Sequence, residues 1–263
     1  MVEGTTPALN RSRETRAMTQ SGYLMLLIWV VLLGIAAWAG LSNISGGEVA
    51  WKWGVVVGSA VIGTIILCGF YMINPNEAAA IQLFGSYKGT DRESGLRWVL
   101  PWLTRHKIAV RANNVISDKI KVNDLRGNPI EMAAQVVWRV TDTAQALFDV
   151  DDYKEFVMAQ IEAAVRSIGS RYPYDDIEHQ EVTLRGNHDE VGVELRKALI
   201  ERLSVAGITV DECGLTHLAY AQEIAGAMLR RQQAEAVISA RKKLVEGAVT
   251  MVEMALNLLS EKG

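Results

Sequence analysis

The pattern of hydrophobic and polar positions changes several times along the chain. From Tyr23 to Leu41 (YLMLLIWVVLLGIAAWAGL) no residue is charged and most are apolar. As a helix rising about 1.5 Å per residue this run reaches ~28 Å, close to the roughly 30 Å hydrocarbon core of a bilayer. A second uncharged run, Trp53–Ile73, would reach ~31 Å by the same rise. The polar, glycine-containing loop 42–52 separates them. The pattern predicts an N-terminal arm over 1–20 and two transmembrane helices within 21–73. The polar arm and the length of the first run argue against a cleaved leader. Trp38, Trp51 and Trp53 stand near the outer ends of the runs, where an interfacial aromatic belt would lie. The Gly54-x-x-x-Gly58 spacing suits close helix packing.

Beyond Ile73 the period shortens. Pro75, flanked by Asn74 and Asn76, ends the apolar run. Ala78–Phe84 then reads as a strand closed at Gly85, and Gly95–Trp102 as a further extended piece leaving at Pro101. Lys107–Val122 is rich in β-branched residues, Asn123–Pro129 is a dense turn signal, and Ile130–Val140 is a strand. A meander of antiparallel strands is the simplest arrangement. The helical period follows. Tyr153, Phe156, Val157, Ile161, Ala164, Val165 and Ile168 share one face. Val191, Leu195, Leu199 and Leu203 recur every fourth residue up to a C-cap at Gly207. Alternation returns over Ile208–Leu218. This order predicts an α+β domain over 74–220, with helices packed on an antiparallel sheet.

The stretch 221–263 holds no proline and is dense in helix formers. Ile224, Ile238, Val245 and Val252 occupy one heptad position, and Ala227, Ala234, Ala248 and Ala255 the companion position. Arg231 and Arg241 interrupt this seam. The pattern predicts a long helix of coiled-coil character that assembles copies of the chain through those eight apolar residues. Its charges have two readings. They form a solvated face, or Arg230, Arg231, Arg241, Lys242 and Lys243 pair with Glu223, Glu235 and Glu246 of neighbouring copies.

Charge adds direction to this picture. Arg11, Arg13 and Arg16 precede the first run, only Lys52 lies in the loop, and Lys88, Arg92, Arg97, Arg105 and Lys107 follow the second run. The positive-inside rule then puts both termini in the cytoplasm of a two-span, multi-pass protein of the cell membrane. With Lys+Arg 27 against Asp+Glu 30, the chain carries no basic stripe for nucleic acid. Cys68 and Cys213, the two cysteines, offer neither metal spacing nor a disulfide framework.

Several pieces together resemble the SPFH (Band 7) family of stomatins, prohibitins, flotillins and related membrane-protease regulators. They are Pro75-Asn76-Glu77, Phe84-Gly85, Gly95-Leu96-Arg97-Trp98 with Pro101, and Asp124-x-x-Gly127-Asn128-Pro129-Ile130. Trp138-Arg139-Val140-x-Asp142, Ala164-Val165-Arg166, Gly207-Ile208-x-Val210-x-Glu212 and Leu218-Ala219-Tyr220-Ala221-x-Glu223-Ile224 complete the match. The resemblance implies a homo-oligomeric ring or cage on a lipid bilayer, built from SPFH domains and long helices packed side by side. It differs from many members in having two N-terminal runs.

No nucleophile elbow, zinc-protease helix, P-loop or dinucleotide fingerprint occurs. His179, Glu181, His188, Asp189 and Glu190 cluster in a polar stretch that reads as a solvated linker and helix start, with a metal site as the alternative. Cys213 reads as a small buried strand residue, with an acylation or redox site as the alternative. The expectation is a protein that is not an enzyme, with no catalytic residue, cofactor or metal. It would be an oligomeric scaffold organising a membrane patch and its proteins. The alternative is a regulatory subunit bound to a membrane protease or transporter.

Overall fold

The computed structural model describes residues 12–45, 50–175 and 182–262. Its chain divides into two compact units. The first comprises Met1–Asn114, Val137–Gln160 and Leu199–Glu212, and the second Val115–Val136, Ile161–Ala198 and Cys213–Gly263.

In the first unit a short strand β1 (Gln20–Ser21) leads into helix α1 (Gly22–Ser45), and helix α2 (Ala50–Cys68) packs beside α1. Of the two, α1 carries a window, Gly22–Leu41, long and apolar enough to cross a membrane, and only 6% of that window is buried. The apolar part of α2, Trp53–Cys68, is shorter. Thus the run Trp53–Ile73 is not one helix. It breaks at Gly69, and Phe70–Ile73 becomes strand β2, antiparallel to β5 (Gly95–Trp98). Pairing with β5 competes here with helix continuation, and Gly69, where a Cβ would meet the Trp98 indole and the Val99 carbonyl, is the point at which the helix yields. The packing of α1 on α2 also differs from expectation. Gly54 and Gly58 face open space, whereas Gly63 lies against the Trp29 indole.

Two antiparallel sheets belong to this unit. One has the order β1-β5-β2. The other has β4 (Ser86–Asp91), β3 (Glu77–Leu83) and β6 (Thr104–Ala109) in the order β4-β3-β6, with a bulge between Ile81 and Gln82. The expected single meander is therefore divided. The segment after β4 leaves its sheet at the turn before Gly95 and pairs with β2 and β1. Ala17, Tyr71, Ile73, Ala79, Ile81 and Val99 form the buried cluster between these elements. Helix α3 (Thr143–Phe148) follows, with Asp142 as its N-cap accepting from the amides of Ala144 and Gln145. Gly207 closes the short 3-10 turn Ser204–Ala206 at φ 63°. A Cβ there would sit 2.5 Å from the Asp142 carbonyl oxygen, so only glycine suits both the left-handed backbone and the space.

Strand β9 (Pro129–Val140), helix α4 (Tyr153–Arg171), helix α5 (His188–Leu203) and strand β10 (Ile208–Tyr220) contribute residues to both units. The third sheet has the order β10-β9-β7, with β7 (Asn113–Ile116), and β8 (Ile120–Asn123) also pairs with β9. Among the residues of the expected helical faces, Val157, Ile161, Ala164, Val165, Ile168, Val191, Leu195, Leu199 and Leu203 are buried. In the second unit the turn after β8 is organised by buried Asp124. Its carboxylate accepts from the amides of Arg126, Asn128 and Tyr174 and from the Asn128 side chain. Helix α6 (Gln222–Lys262) is 41 residues long. The fold is mixed α+β, with antiparallel sheets, an apolar N-terminal helix and a long C-terminal helix.

Candidate anchoring and assembly surfaces

A buried charge network ties the helix entry to the first unit. The Asp91 carboxylate, 3% exposed in its side chain, accepts from the Tyr71 hydroxyl at 2.7 Å and from Arg97 Nε at 2.9 Å. Arg97 also donates to Glu93 and to the Thr19 hydroxyl just before β1. Burial by itself would raise the Asp91 pKa. Hydrogen bonds from Tyr71, the Glu93 amide, Arg97 and Thr19 outweigh it and hold the carboxyl below its ordinary value. At the far end of α2, Arg105 donates to the carbonyls of Cys68 and Phe70 and lies over the Tyr71 ring, while Trp98 Nε1 donates to the Ile66 carbonyl. A cation thus meets the orphan carbonyls of the helix C-terminus, where the macrodipole favours it. Both helix ends that enter the domain are sewn to β5 or its neighbours. From the sequence, Arg105 reads as flanking positive charge and Arg97 as such a charge and as part of the Gly95–Trp98 motif; neither reading reveals these bonds.

Trp38, Trp51 and Trp53 are 67%, 59% and 60% exposed. They fall late in α1 and at the start of α2, the end of the hairpin opposite Gly22 and Cys68.

The root of α6 lies in the second unit. Asp175 accepts from the Tyr220 hydroxyl, Arg231 and the Gln232 side-chain Nε2, and the Tyr174 and Tyr220 rings pack with centroids 4.1 Å apart. Arg231 therefore serves its own chain, which explains a charge in the apolar seam. Glu223 pairs with Lys121, Glu235 with Arg231 and Glu246 with Lys242, all within the chain. Ile224 is half-buried, while Ala227 and Ala234 are exposed. Farther along the helix the chain covers almost nothing. Ile238, Val245 and Val252 are 65%, 64% and 59% exposed, and Ala248 and Ala255 are exposed beside them. A second column missed in the sequence runs next to the seam: Val237, Leu244, Met251 and Leu258, all more than half exposed. Those positions are spaced by seven, one residue before each seam residue, so the period that revealed the first column could have found it.

His188, Asp189 and Glu190 open α5, with both acids in its first turn. His179 and Glu181 lie outside the described residues. Among the described residues no group of three or more His, Cys, Asp or Glu side chains could hold a metal ion. Cys213 is half-buried in β10, and burial pushes its thiol up to about 11 despite the Arg196 charge. Only the thiolate attacks alkylating reagents, so at pH 8 Cys213 should react with iodoacetamide roughly a hundredfold more slowly than an ordinary exposed cysteine. Mass spectrometry of quenched time points measures this, and a rate like that of free cysteine would contradict the burial.

The SPFH domain / Band 7 family model matches residues 71–249, from the end of the α2 connection into α6. The chain belongs to the SPFH/Band 7 family. It is also similar to the Protein HflC of Treponema pallidum (strain Nichols), 27% identical over 142 residues, which are 52% of this chain and 43% of that protein. The chain thus spans less than half the length of this relative. Family membership and the apolar helix α1 point to membrane association. The SPFH match begins inside β2, so the Tyr71 hydroxyl that engages Asp91 belongs to the SPFH segment and not to a membrane helix.

Proposed function

We propose that this SPFH protein is a non-enzymatic scaffold that assembles many copies in one bilayer and organises the membrane patch and proteins beside them. The observation that carries this reading is the exposed apolar stripe of α6 from Val237 to Leu258. A helix of this length with apolar residues on adjacent heptad columns is stable in water only when neighbouring helices cover it. Two columns side by side, with small alanines at the companion position, suit contact with a neighbour on each side, as a ring wall needs.

In this reading α1 and α2 form a two-span hairpin, with Trp38, Trp51 and Trp53 at the far interface. The arm and the SPFH domain face the cytoplasm, on the side marked by Arg13, Arg16, Arg105 and Lys107. Helix α2 is short for a span, and tryptophans at its mouth suit local adjustment of the bilayer.

Extraction in mild detergent followed by mass photometry and electron microscopy tests the scaffold. Closed particles of many copies are expected, and single chains at micromolar concentration would end this reading. Similarity to an HflC protein, together with the family resemblance to membrane-protease regulators, favours a second reading: a regulatory subunit of a membrane protease or transporter. Pull-down from native membranes separates the two. A stoichiometric non-self membrane protein supports the regulator, whereas self-copies and lipid alone support the scaffold.

A further inference from the structure

Residues 12–17, ahead of α1, do not hang free. The Thr90 amide donates to the Thr15 carbonyl at 2.7 Å, and the Ala17 amide donates to the Thr90 carbonyl at 3.1 Å. These bonds add a short stretch of chain to the outer edge of β4, the edge strand of its sheet. The arm is then fastened by one carboxylate. Glu14 accepts both Nε and Nη2 of Arg92, at 2.6 and 2.8 Å, and both the amide and hydroxyl of Thr143, at 2.9 and 3.0 Å. Its own amide donates to Asp142, and the Ser12 amide donates to Asp149. Four donors converging on one carboxylate, two of them a guanidinium fork, make a built receptor for that group.

Beyond these bonds, residues 12–17 have little to hold them. Ala17 is the buried apolar residue they contribute to the cluster below, and the Arg16 side chain is 82% exposed where it meets Glu93. An open cavity of about 610 Å³ remains between the arm and the domain, lined by Glu14, Arg16, Asp91 and Arg92 among others. Little hydrophobic surface resists departure, so the hold is mostly electrostatic and sensitive to salt.

We propose that residues 12–17 are a removable strap seated in a strand-edge groove of β4, whose Arg92 and Thr143 form a receptor for the Glu14 carboxylate. The groove takes an extended chain segment bearing one acidic residue, and its occupant here is the protein's own arm. When the strap leaves, the β4 edge and the Arg92 fork are exposed while β1, already paired with β5, keeps α1 attached. The strap is independent of assembly through α6, so its failure would leave the scaffold reading untouched.

Hydrogen exchange of the full chain in lipid nanodiscs tests this. Glu14→Gln and Arg92→Gln should each speed exchange at the Ala17 and Thr90 amides at least tenfold, leaving Ala79 and Ile81 in β3 unchanged. In the unmodified protein, raising NaCl from about 0.05 to 1 M should speed the same two amides alone. Exchange at Ala17 and Thr90 that ignores both variants and salt overturns the strap. Acceleration that comes only together with the β3 amides does so too, since the arm would then be an inseparable part of the sheet.

Discussion

Ile238→Glu combined with Val245→Glu is expected to convert high-mass particles into single chains. Both side chains are about two-thirds exposed in the isolated chain, so the substitutions cost the single-chain fold almost nothing. In an assembly they would lie against neighbouring helices, and each buried carboxylate without a partner costs several kcal/mol. Two per chain, at a contact repeated around a ring, weaken each interface by on the order of a thousandfold or more. Size-exclusion in mild detergent reads the change. Lys243→Glu is the control, since position 243 lies off both apolar columns and should leave the particle intact. The circular dichroism of the double variant should lose helical signal at most to the extent of α6 beyond Glu235, which owes little to its own chain, and keep the signal of the rest of the fold. An unchanged high-mass peak would remove α6 as the assembly element.

The second large effect concerns stability. Asp91→Ala leaves the Arg97 guanidinium and the Tyr71 hydroxyl without their buried acceptor. Breaking a buried charge pair from one side costs about 3–5 kcal/mol. For a protein of this size that lowers the midpoint of thermal unfolding by roughly 10 °C. Loss of signal from Trp98, whose indole is bound to the end of α2, would report the transition by fluorescence. Asp91 also sets a pH dependence. Its folded pKa lies below the ordinary value of 3.8, so its contribution is fully present above that value. It is lost as pH falls through the folded value. Glu14 acts in the same direction: burial opposes its charge, but Arg92 and Thr143 hold it below 4.5. The gap in stability between the unmodified protein and Asp91→Asn should stay constant from about pH 7 to 5 and narrow only below about pH 4. A gap that widened on acidification would refute the assignment of Asp91 as an ionised acceptor.

Much of the secondary structure was legible because its cause is local. The fourfold spacing Val191, Leu195, Leu199, Leu203 specifies one helical face in any context that supplies a core, and all four are buried. Alternation in Ile130–Val140 and Ile208–Leu218 likewise appears as β9 and β10. What was missed has remote causes. Strand β2 looks like the end of an apolar helix until Gly95–Trp98 arrives to pair with it. Strand β4 (SYKGTD) has two strand-favouring residues, Tyr87 and Thr90, among Ser, Lys, Gly and Asp, which carry little strand propensity. It exists because β3 satisfies its backbone along one side, and the arm adds a single bridge at Thr90 on the other. The role of Arg231 was hidden for the same reason. Its partner Asp175 is 56 residues away, and no heptad pattern reports that distance.

The sequence by itself determined the apolar first helix, the SPFH motifs and their order, and the long apolar-striped helix, because length, period and composition are properties of neighbouring residues. Only the tertiary structure decided where the second apolar run stops being helix, which charges of α6 are used within the chain, and that the N-terminal arm lies on the domain. Those outcomes depend on hydrogen bonds such as Arg92 to Glu14, made across 78 residues. Their geometry comes from the convergence of several donors on one acceptor, which exists only once the chain has folded.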